Sequence, residues 1–72
     1  MFNRKKFDFF IPDGVNEAID NLEQAVKDNF LVDCYLEELR TVIHQWQDVP
    51  GGFSEEEGEE VLHYYYGRHY SH

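Results

Sequence analysis

Cysteine occurs once in the seventy-two residues, at Cys34, and proline only twice. A lone cysteine excludes an intramolecular disulfide, and with scattered histidines it makes no zinc framework. An unpaired thiol suits a reducing compartment, so a cytoplasmic location is expected. Long apolar runs are missing too: none approaches the ~20 residues that span a bilayer, and no membrane partner is expected. No secretory pattern is visible, since the apolar stretch after Arg4-Lys5-Lys6 is cut by Asp8 and stopped by Pro12. Positive charge is scarce and confined. Residues 7–72 hold all fifteen carboxylates against Lys27, Arg40 and Arg68, a formal −12 within a whole-chain net of −9. So acidic a body repels nucleic-acid phosphates and anionic lipid and favours basic partners.

Catalytic patterns are equally scarce. There is no Gly-rich phosphate loop, serine elbow or HExxH pair. Ser54 and Ser71 are the only serines, and Cys34 has no evident base or oxyanion site. The expectation is a protein that is not an enzyme and needs no cofactor.

What is present is hydrophobic content of 42%, with twelve aromatics. That is too much for an acidic disordered chain, which is typically poor in aromatics. Apolar residues recur at the helical period in three stretches. Over 15–30, Val15, Ala18, Ile19, Leu22, Ala25, Val26 and Phe30 share one arc, with Asp13 as the expected N-cap after Pro12. Over 34–47 the stripe is Tyr35, Leu36, Leu39, Val42, Ile43 and Trp46. One continuous rod would set the two stripes roughly 100° apart, so the chain must turn between Asn29 and Asp33, either of which could cap the new helix. A short connection makes the two antiparallel neighbours.

Asp48-Val49-Pro50-Gly51-Gly52 is turn punctuation. Ser54 and Glu57 then form a capping box opening a third helix over 55–66, with Val61, Leu62, Tyr65 and Tyr66 on one arc. Gly58 lies in that arc, a place for another backbone to come close. Gly67 reads as the stop, leaving 68–72 as a frayed tail. Phe2, Phe7, Phe9, Phe10 and Ile11 crowd into 1–12, where no second strand exists for them to pair with. The segment is expected to be an extended aromatic arm laid across the helices, its basic start over neighbouring carboxylates; a homodimer exchanging the arm is the competing expectation.

The reading is therefore one all-α domain over 1–72: an arm (1–12), a helical body (13–67) made of an antiparallel pair plus a capped third helix, and a tail (68–72). The expected function is an acidic protein-binding module of the inhibitor, immunity or adaptor kind, acting on a basic partner surface. Its candidate contact residues are Glu55, Glu56, Glu59 and Glu60, with Tyr64 and Trp46, residue types suited to interfaces. Glutamates at a helix start also have an ordinary role, favouring the dipole. An alternative is a metal- or redox-responsive regulator using Cys34 and the tail histidines His69 and His72, with Glu59 and His63 as an i,i+4 pair. Metal sites usually need three or four converging ligands, so no metal site is assigned. A weaker alternative is a nucleic-acid mimic, or a direct nucleic-acid binder.

Overall fold

The computed structural model describes residues 6–70, as three helices with no strand among them. Helix α1 spans Asp13–Asp28, α2 Val32–Gln47 and α3 Glu55–Tyr70. The chain is a small all-α domain, with α2 central. It packs against both α1 and α3, which do not approach each other closely along their backbones.

Helix α1 starts at Asp13, so Asp13 is its first residue and not its cap. Pro12 holds the capping position with no side-chain cap bond. Its carbonyl accepts from the N–H groups of Val15 and Asn16, both at 3.0 Å. The Asn16 amide donates to the Ile11 carbonyl at 3.2 Å, fixing how the arm enters the helix. Val15, Ala18, Ile19, Leu22 and Ala25 are buried, as their spacing requires.

The turn after α1 departs from expectation. Asn29 ends α1 in the left-handed region at φ 51°. The N–H groups of Asn29 and Phe30 return to the carbonyls of Val26 and Ala25 at 3.1 and 3.0 Å, satisfying groups the helix end leaves open. This lifts Phe30 off the apolar stripe and leaves it exposed. Leu31 is also left-handed, at φ 54°, and precedes α2, which begins at Val32, two residues before the expected Cys34. Neither Asn29 nor Asp33 caps α2; Asp33 lies in its first turn.

Two further turns set α3. Gly51 takes φ 79°, and a side chain on Gly52 would strike the Trp46 carbonyl, so the bend needs both glycines. The capping box forms as read: the Glu57 N–H donates to Ser54 Oγ at 3.1 Å and the Ser54 N–H to Glu57 Oε1 at 3.2 Å. Gly58 is a contact point, but with side chains: a Cβ there would overlap the Gln47 amide and lie 2.8 Å from Ile43 Cγ2.

The stop at Gly67 is not observed. Helix α3 continues to Tyr70, because its last turn docks on α2. Tyr66 donates to Glu37 at 3.2 Å, Tyr70 donates to Asp33 at 3.2 Å, and His69 Nε2 lies 3.0 Å from Asp33 Oδ1. These contacts offset the weak helix propensity of Gly67. Within the expected tail, residues 68–70 are thus helical; 71–72 lie outside the described residues.

One core joins all elements: Val15, Ile19 and Leu22 from α1, Leu36, Leu39 and Ile43 from α2, Val61, Leu62 and Tyr65 from α3, and Phe53 from the loop. Phe7, Phe9 and Ile11 of the arm pack against it without forming a strand. The Phe7 ring meets Tyr64 edge-on at 6.0 Å and Phe9 meets Phe53 at 5.9 Å. Joined covalently to α1 and packed on α3, the arm ties together the two outer helices. Its basic start at Arg4 and Lys5, and Phe2, lie outside the described residues.

Candidate functional site

Helix α3 projects its first-turn carboxylates outward because Val61, Leu62 and Tyr65 take the inward face. Glu55, Glu56, Glu59 and Glu60 are all exposed. Glu56, Glu59 and Glu60 border one open depression of about 500 Å³ with His63 and Tyr64. Glu55 lies at the helix start, its carbonyl accepting from the Gln47 amide at 3.4 Å. Among the described residues, Glu59 has the exposed His63 at 3.6 Å, and no cation pairs with Glu55, Glu56 or Glu60.

The two aromatic candidates differ. Tyr64 belongs to this depression but is half-buried, its ring between Phe7 and Arg68, whose guanidinium carbon lies 4.5 Å from the ring centre. Trp46 is placed elsewhere. Its ring lies against Gly14 of α1, where a Cβ would come within 2.9 Å of Nε1, and it packs against the core. The structure therefore gathers Glu56, Glu59, Glu60 and Tyr64, and sets Trp46 between α1 and α2.

A second open groove, about 450 Å³, runs between α2 and α3, lined by Arg40, His44, Glu59, Leu62, His63, Tyr66 and Gly67. Burial first, and then the hydrogen bond to the Glu37 carboxylate, push the Tyr66 phenol above its ordinary pKa. Tyr70 shifts the same way, by desolvation and then its bond to Asp33. Among the described residues, no three His, Cys, Asp or Glu side chains converge to hold a metal ion. His69 is turned toward Asp33, and His72 lies outside the described residues. Cys34 is an exposed free thiol.

Phe10, expected to pack across the helices with the rest of the arm, does not. The arm bends at Asp8 and Phe9, and while Phe9 and Ile11 pack against the core, Phe10 between them points outward and is 73% exposed. Two adjacent phenylalanines in an arm are the signal that one faces water.

No protein-family model, no curated protein and no solved structure matches the chain. Among the described residues, no helix is long and apolar enough to cross a membrane.

Proposed function

We propose that this chain is an acidic, non-enzymatic protein-binding module that docks on a basic surface of a cytoplasmic partner, as an inhibitor, immunity-type protein or adaptor does. One observation carries the reading: Glu55, Glu56 and Glu60 stand exposed on α3 without an intramolecular cation among the described residues. Beyond favouring the dipole at the helix start, such charges remain available to steer and orient a cationic partner. The lone thiol supports a reducing compartment.

The test is calorimetric titration with a synthetic leucine–lysine helix and with its leucine–glutamate counterpart. Binding of the lysine helix alone is expected, weakening as salt rises. The paired change Glu56→Lys, Glu60→Lys should weaken binding about tenfold more than the isocharged change Asp28→Lys, Glu38→Lys. Equal binding of both helices, or equal loss from both charge reversals, overturns the proposal.

A further inference from the structure

Antiparallel packing gathers the start of α1, the end of α2 and the start of α3 at one end of a body 35 Å long. Carboxylates lie at both ends of that axis and are densest at this one. The first six residues of α3 hold five glutamates, and Asp13, Glu17 and Asp48 lie toward the same end. Lys27 and Arg68 lie toward the other end, among Glu23, Asp28, Asp33, Glu37 and Glu38, with Arg40 midway along α2. Two apolar side chains interrupt the acidic end: Phe10, 73% exposed, and Val49, 44% exposed.

A purely charged surface gives attraction and orientation, whereas a specific interface also needs an apolar anchor that can be desolvated. The glutamate face of α3 lacks one, because Tyr64 is half-buried beneath Phe7 and Arg68. Phe10 supplies it. Its backbone is pinned on both sides, by the Phe9–Phe53 ring contact and by the Asn16 amide on the Ile11 carbonyl. A ring presented by a pinned segment loses little freedom on docking.

We propose that Phe10 is the apolar anchor of the acidic end, and that the surface fits a protein presenting an apolar stripe flanked by lysine and arginine. This rests on the function proposed above and names its contact point. Charge complementarity selects that occupant over a second copy, since two acidic ends brought together repel.

The experiment uses the leucine–lysine helix on the full chain, with amide chemical-shift mapping and calorimetry. Shifts centred on residues 8–14, 48–50 and 55–60 are expected. Phe10→Ala should weaken binding about tenfold while leaving the melting midpoint unchanged. Phe30→Ala, an equally bare ring at the opposite end, should change binding less than twofold. Unaltered binding by Phe10→Ala, or shifts centred on residues 29–33, overturns the anchor while the acidic-module reading stands. A dimer that dissociates on Phe10→Ala assigns the ring to self-association and also overturns it. Failure of the wild-type chain to bind the lysine helix at all sinks both.

Discussion

Tyr66 shows how single side chains hold the third helix in place. Its hydroxyl donates to Glu37, and a phenolate could not, so burial and the adjacent carboxylate both favour the neutral phenol. The folded-state pKa lies above the unfolded value of about 10. The contribution is therefore fully present below pH 10 and lost as pH rises through the higher folded value. Urea unfolding of Tyr66→Phe at pH 7 should show a loss of about 0.5–1 kcal/mol. Between pH 9 and pH 11 the wild type should lose more stability than the variant, and equal losses would contradict the assignment. Ser54 and Glu57 lie at the legible extreme of this scale, because a capping box is purely local and needs only its spacing. Leu31 lies at the other. Leucine disfavours the left-handed region by about 1–2 kcal/mol, so nothing in its identity announces φ 54°. The need for a turn was visible only in the phase difference between the two flanking stripes.

At the scale of elements, helical periodicity located all three helices, and their ends were misjudged where tertiary contacts decide. Gly67 looks like a stop because glycine weakens a helix in isolation, whereas the last turn of α3 is held by partners roughly thirty or more residues away in sequence, Asp33 and Glu37. No local rule reports such contacts. A chain ending at Tyr70 should accordingly be more stable than one ending at Gly67. The difference comprises the cation–π contact of Arg68 on Tyr64 and the His69 and Tyr70 contacts with Asp33. Each is exposed and modest, so the expected loss is small. Differential melting should place the shorter chain measurably lower. Coincident midpoints would mean that the last turn contributes nothing to the fold. Of the candidate contact residues, the glutamates were legible because α3 turns them outward once its apolar arc is known. Trp46 was not, since its position at the edge of a stripe suited either solvent or the neighbouring helix.

Over the whole molecule, the core explains why the arm exists. Three 16-residue helices, with α1 and α3 not closely packed on each other, leave apolar surface that Phe7, Phe9 and Ile11 cover. A domain of this length has little stability to spare, so the cover is part of the fold. The same arrangement leaves Phe10 and the carboxylates outward at one end, so the proposed binding surface depends on the arm packing within its own chain. That claim is tested most directly by Phe7→Ala, Phe9→Ala, followed by thermal melting with the mass measured by light scattering. Each ring is partly buried, and losing both should cost about 2–3 kcal/mol, which lowers the melting midpoint by roughly 10–20 °C. The account predicts that fall at an unchanged monomeric mass, whereas an unchanged midpoint with a dimer lost would place the arm in another copy and contradict it.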